Sequence, residues 1–246
     1  ALFGVVLLAE LVRYLMKWSS EATRKLVHIL VGILVATTPY LFESKWPMVG
    51  LGVLFVLFDF IAVKKNMLKG MHGTKRNSYG TVFYPISFVI LVLLLWDHSK
   101  IILVISMLIM ALSDAFAAIV GEKVRKPIVL HFGPEVKSVQ GSATMFLTTF
   151  LIIVGSLLFF PHLENATLAL PFILWTALVV SIVATVSEAI SIQGSDNFSV
   201  PLLSAFALHF MFNSPVAELT AFSLGMFLSL VVAILSYKVK FLDAGG

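Results

Sequence analysis

Asp114 interrupts the apolar run from Ile101 to Val120, a stretch otherwise long enough and apolar enough to lie in lipid. A charge at membrane depth costs on the order of 2.5 to 3.5 kcal/mol on insertion scales, so a carboxylate there signals a functional site with a polar partner. The partners at hand are cations or metal ions at one membrane edge. Gly121 opens a basic segment, Glu122-Lys123-Val124-Arg125-Lys126, that ends at Lys137-Ser138-Val139-Gln140-Gly141. Ala117, Ala118 and Gly121 follow Asp114 at helical spacing, giving a small-residue face that a second helix or a ligand can approach closely. Lys137 suits a phosphate as a point charge, although an interfacial lysine also snorkels without any ligand.

Two further carboxylates, Glu188 near the end of an apolar run and Asp196 in Asp196-Asn197-Phe198-Ser199-Val200-Pro201, belong to the same side. Capping of the next helix accounts for Asp196 or Asn197. It does not account for three acids converging where Lys and Arg predominate. Arg24-Lys25-Leu26-Val27-His28 places Arg24 and His28 on one helical face, one turn apart; the two cations also read as orientation charges. In Lys75-Arg76-Asn77-Ser78-Tyr79-Gly80-Thr81, Ser78 is a candidate cap, and a free helix N-terminus beside Arg76 would cradle phosphate. Gly70-Met71-His72-Gly73-Thr74-Lys75 lacks the spacing of a Walker A loop. Hard oxygen ligands ringed by Lys and Arg are what a Mg²⁺–nucleotide site needs, since Mg²⁺ takes one or two carboxylates and keeps phosphate oxygens and waters.

The elements that must hold these groups are membrane helices. The chain has 246 residues, 59% of them hydrophobic and 12% charged, which excludes a soluble core. Apolar runs lie at about 2 to 17, 26 to 42, 46 to 63, 79 to 96, 101 to 121, 139 to 160, 168 to 190, 199 to 212 and 216 to 237. The expectation is an all-α, polytopic transmembrane bundle of about nine segments, forming one integral membrane domain over residues 1–246. The run 199 to 212 starts at Val200-Pro201 and is short, so it is read as a half-helix or re-entrant piece. The stretch Leu2 to Leu15 holds Glu10 and Arg13 without a basic n-region, and is read as a helix rather than a signal peptide.

Lysine and arginine divide unevenly between the two sides. Lys17, Arg24, Lys25, Lys64, Lys65, Lys69, Lys75, Arg76, Lys123, Arg125, Lys126, Lys137, Lys238 and Lys240 fall on one side, and Lys45 and Lys100 on the other. This bias makes the basic side cytoplasmic and the N-terminus external. It also explains the net charge of +4 without nucleic acid as a partner. With no cysteine in the chain, disulfides and thiolate-bound metals are excluded. No internal repeat is evident.

In order along residues 20–202, Arg24-Lys25-x-x-His28, Arg76-x-Ser78-Tyr79-Gly80-Thr81-x-x-Tyr84-Pro85, Asp114-Ala115-Phe116-Ala117-Ala118-x-x-Gly121, Lys137-Ser138-x-x-Gly141-Ser142, and Glu188 with Asp196-Asn197-x-x-Val200-Pro201 resemble one family. It is the dolichol kinase, phytol kinase and yeast-type diacylglycerol kinase family of CTP-dependent lipid kinases. The related phosphatidate cytidylyltransferases carry a Pro-Gly-His-Gly-Gly stretch and an Asp-Arg pair, and this chain has no such stretch.

The resemblance implies transfer of the γ-phosphoryl group of CTP to the hydroxyl of phytol, geranylgeraniol, a polyprenol or dolichol, or diacylglycerol, at the cytoplasmic face. Mg²⁺ or another divalent cation would serve as cofactor. Asp114 and Asp196 would hold the metal, with Glu188 as third ligand or as base. Lys137, Ser138, Arg76 and Ser78 would grip phosphates, Arg24, Lys25 and His28 would line the entrance, and Gly121, Gly141 and Asn197 would complete the nucleotide site. Asp114, Glu188 and Lys137 form the expected catalytic set. A cytidylyltransferase of phosphatidic acid, releasing pyrophosphate, is the alternative; an ion-coupled transporter is the second.

Overall fold

A computed structural model describes residues 20–65, 79–124, 127–130, 137–159 and 168–238. Helix α1 covers Ser20–Leu41, α2 Trp46–Lys64, α3 Gly80–Leu95 and α4 Lys100–Leu108. A π turn at Ile109–Ser113 joins α4 to α5, Asp114–Lys123. Two-residue strands β1 (Val129–Leu130) and β2 (Lys137–Ser138) pair antiparallel, and then come α6 (Val139–Phe159), α7 (Leu170–Ala189), α8 (Asp196–Asn213) and α9 (Val216–Lys238). The expected segment at 2 to 17 lies outside the described residues.

The all-α class holds apart from the hairpin, which stands in the basic segment that follows Gly121. Four helices are long and apolar enough to cross a membrane: Trp46–Lys64, Lys100–Lys123, Val139–Phe159 and Leu170–Ala189. The most enclosed of them is Lys100–Lys123, in which α4, the π turn and α5 run as one 24-residue rod. Ile102, Leu103, Ile105, Met107, Ile109 and Met110 are almost wholly buried along it. Helices α1, α6 and α8 pack around this rod, α3 closes against α8, and α7 bridges α6 and α8. Helix α2 packs on α3 and turns Leu54, Leu57, Phe58 and Phe60 outward. Such a face is costly in water and neutral in hydrocarbon.

The piece expected as a half-helix is a continuous helix of 18 residues that starts at Asp196, before the apolar run. Pro201 lies within it. A proline has no N–H to offer the carbonyl four residues back, which here belongs to Asn197. That carbonyl instead accepts the Ser87 hydroxyl of α3 at 2.9 Å. The break in one ladder thus ties two helices together. At the bundle's other end, Lys45 pairs with Asp97, and Lys100 donates to the Pro39 carbonyl at 2.9 Å while standing over the Trp96 ring. From Lys100 to Asp114 the rod rises about 20 Å, so these two lysines and the acidic cluster occupy opposite ends.

Candidate active site

The π turn ends where Asp114 begins α5. A π turn shifts the backbone hydrogen bonds by one residue and is frequent at functional sites. Across from it on α1, His28 Nε2 lies 3.9 Å from Asp114 Oδ2 and 3.4 Å from the Met110 carbonyl of the turn. Its ring meets Tyr84 edge-on, with centroids 5.6 Å apart. Close approach of α1 here depends on Gly32, where a Cβ would fall 2.2 Å from the Ala111 Cβ.

Lys137 is delivered by the hairpin. Leu130 lies opposite it in the ladder, and the Val139 N–H donates to the Ile128 carbonyl at 2.9 Å as α6 starts. The Lys137 ammonium is 2.5 Å from Glu188 Oε1, 3.3 Å from Ser191 Oγ and 3.8 Å from Asp196 Oδ2. Glu188, on the last turn of α7, is only 6% exposed. The chain reverses through Gln193 (φ 52°) and Gly194 (φ 84°), both left-handed. That turn brings Asp196 back beside Glu188, and the Tyr79 N–H holds the Gln193 carbonyl at 3.0 Å. Ser191 was not singled out from the sequence; it lies just past the end of α7, where its N–H and its hydroxyl both donate to the Glu188 carbonyl, at 3.2 and 2.7 Å.

Other expected site residues have structural duties. The capping expected of Asp196 is confined to its neighbour: Oδ1 accepts the Asn197 N–H at 2.9 Å and the Asn197 amide at 3.1 Å, while Oδ2 turns to Lys137. Asn197 therefore orients Asp196, and its amide also donates to the Gly194 carbonyl. Ser138 caps α6, accepting the Gly141 N–H at 3.1 Å. Gly121 and Gly141 are where α5 and α6 cross closely; a Cβ on Gly141 would lie 3.2 Å from the Ala117 carbonyl. Arg24 and Lys25 stand in α1, but their side chains lie outside the described residues, as do Arg76 and Ser78 altogether.

The electrostatics of the cluster are set by three acids around one ammonium. Burial works against charge on Lys137, but the Glu188, Asp196 and Asp114 carboxylates outweigh it and hold the ammonium pKa above the ordinary lysine range. Asp196 is pushed up to about 6, first by burial and then by Asp114. Two carboxylates in excess of the lysine leave the site attractive to a cation.

Asp114 and Asp196 were expected to hold a metal, with Glu188 as third ligand or as base. Among the described residues, no three His, Asp or Glu side chains form a metal-ligating group. Glu188 is already the partner of Lys137. Mg²⁺ needs only one or two carboxylates when phosphates supply the rest. Asp114 and Asp196 lie close enough to repel one another, so two carboxylates other than Glu188 share this neighbourhood.

No family model and no solved structure matches the chain. A phytol kinase from Synechocystis sp. is 34% identical over 203 residues, which cover 82% of this chain and 84% of that relative. The chain belongs to the phytol kinase family. Phytol kinase 1, chloroplastic, of Arabidopsis thaliana is 30% identical over 205 residues, covering 77% of this chain and 66% of the relative. A probable phytol kinase 1, chloroplastic, of Oryza sativa is 29% identical over 211 residues, covering 77% and 64%. This chain is thus a kinase, a phosphotransferase with an alcohol acceptor, and its apolar helices make it a membrane enzyme acting on a lipid alcohol.

Proposed function

We propose that this kinase moves the γ-phosphoryl group of CTP to the hydroxyl of an isoprenoid alcohol of the phytol or geranylgeraniol type, with Mg²⁺, at the cytoplasmic face. The observation that carries this reading is Lys137, a buried cation held 2.5 Å from Glu188 beside Asp196. The relatives' name supplies the alcohol, and the motifs shared with CTP-dependent lipid kinases supply the donor.

The acceptor oxygen attacks the γ-phosphorus, the bond from that phosphorus to the β,γ-bridging oxygen breaks, and CDP leaves with the electron pair. The alcohol's proton passes to a carboxylate of the cluster. Most of the barrier in such a transfer is lowered by positioning and charge. Asp114 and Asp196 would hold the metal, which neutralises charge developing on the phosphates. Lys137 would grip the phosphates, aimed by Glu188 and Ser191, and Asn197 would fix the rotamer of Asp196. The lipid tail stays among helices while nucleotide arrives from water, so neither reactant crosses the bilayer.

Radiolabelled CTP offered with phytol, geranylgeraniol, longer polyprenols and diacylglycerol, with ATP, GTP and UTP as competitors, tests the reading. Phosphorylated isoprenoid and released CDP are expected. Pyrophosphate release with CDP-diacylglycerol as product, when phosphatidic acid is added to the panel, would overturn it in favour of cytidylyl transfer.

The proposed topology has about nine segments, α8 among them, with an external N-terminus. Because the chain has no cysteine, single-cysteine variants report sidedness directly. Ser44→Cys should react with a membrane-impermeant maleimide only from outside, and Glu122→Cys only from the cytoplasmic side. Labelling of both from one side would refute that arrangement.

A further inference from the structure

Tyr84 has no duty in the site as described so far, yet its hydroxyl is buried in the site's wall. The oxygen is out of contact with solvent and finds no hydrogen-bond partner among the described residues. Buried polar atoms are nearly always paired, so each exception calls for a physical reason. Several serine and threonine hydroxyls share this condition, among them Ser106, Ser181 and Ser204. Those can rotate onto a carbonyl of their own helix. A phenol cannot, because its oxygen stands too far from its own backbone; its partner must come from elsewhere.

The location shows where that partner would stand. A Cβ built on Gly32 of α1 would sit 3.3 Å from the Tyr84 oxygen and 2.2 Å from the Ala111 Cβ of the π turn. The hydroxyl therefore points to the junction of α1 with the π turn, one helical turn before Asp114. His28, 3.9 Å from Asp114, lays its ring edge-on against the Tyr84 ring. Helices α1 and α3 do not pack along their lengths; Tyr84 and His28 join them locally. Two apolar helices joined only locally, with one unpaired hydroxyl at the joint, suit a long apolar molecule with a single hydroxyl at its tip.

We propose that Tyr84 is the acceptor-binding residue: its hydroxyl donates to the oxygen of the lipid alcohol and holds it beside Asp114, with the isoprenoid tail leaving between α1 and α3. The phenol positions that oxygen and takes no proton from it; one lone pair receives the phenol's hydrogen bond while another attacks phosphorus. This rests on the kinase reading given above, and the role differs from those of Lys137 and Asp196 because it concerns the acceptor alone.

Tyr84→Phe tests it, since the ring and its contact with His28 are kept and only the oxygen is removed. The KM for the alcohol should rise about tenfold, by the same factor for short and long isoprenoid alcohols, while the KM for CTP is unchanged. Thermal unfolding in detergent should show a midpoint equal to or above that of the wild type, because the substitution removes a buried group that the free protein leaves unsatisfied. An unchanged alcohol KM overturns the proposal. So does a fall in the midpoint, which would mean that the hydroxyl serves the fold, or a KM effect that grows with tail length, which would place Tyr84 against the tail. Wild-type protein that phosphorylates no alcohol from any nucleotide would instead remove the kinase reading beneath it.

Discussion

Asp114→Asn is expected to lower kcat by a factor of about 10² to 10³, the range seen when a group that stabilises transition-state charge is removed. The amide keeps the shape of the carboxylate, so the contact with His28 and the start of α5 are preserved. What disappears is one of the two charges proposed to hold the metal. Stability should not suffer, because Asp114 is a neighbour that raises Asp196 and its removal relieves that repulsion. Detergent-solubilised variant and wild type should therefore unfold at similar temperatures while differing in phosphoryl transfer. Activity within tenfold of wild type would remove Asp114 from the metal site.

Lys137→Met should combine loss of activity with a large loss of stability. The side chain and its Glu188 partner are both mostly buried, at 16% and 8% exposure. Taking one member from a buried pair costs about 3 to 5 kcal/mol, mainly because the other charge is stranded. Replacing both members by apolar groups of similar size is close to neutral by the same reasoning. The double variant Lys137→Met with Glu188→Leu should consequently recover much of the lost stability and none of the activity. The unfolding midpoint and a labelled-phosphate assay, measured on the two variants side by side, separate the effects. Recovery of turnover in the double variant would show that Lys137 does not meet the phosphates.

Asp114 stood out in the chain because burying a charge is costly wherever the fold puts it, and the basic loops led to an expected side of the membrane for it. Its surroundings were less legible. Lys137 and Glu188 are 51 residues apart, and their meeting depends on the left-handed turn at Gln193 and Gly194 and on a two-residue ladder. Strands that short leave no alternating pattern to read. Gly121, Gly141 and Ser138 had the composition of a phosphate loop, but the same small residues serve a helix crossing and a cap. The extent of α8 was underestimated because its first turn is polar, and apolar runs mark the lipid-exposed or buried part of a helix rather than its ends. The π turn was invisible for another reason: it changes hydrogen-bond register without changing which residues are apolar.

That register change has a genetic meaning. A π turn is an α-helix with one extra residue accommodated, so the rod Lys100–Lys123 carries a surplus position between Ile109 and Ser113. Loss of a single codon there would let the helix close into a regular ladder while the parts on either side kept roughly their relative rotation, whereas the same loss from a regular stretch of the rod would rotate everything beyond it by about 100°. In that second case Asp114 would swing away from His28 while the part of the rod before the deletion stayed in place. An in-frame deletion of one residue between Ile109 and Ser113 should therefore be tolerated better than one elsewhere between Lys100 and Asp114, which makes the π turn the place where this rod can absorb a change in length.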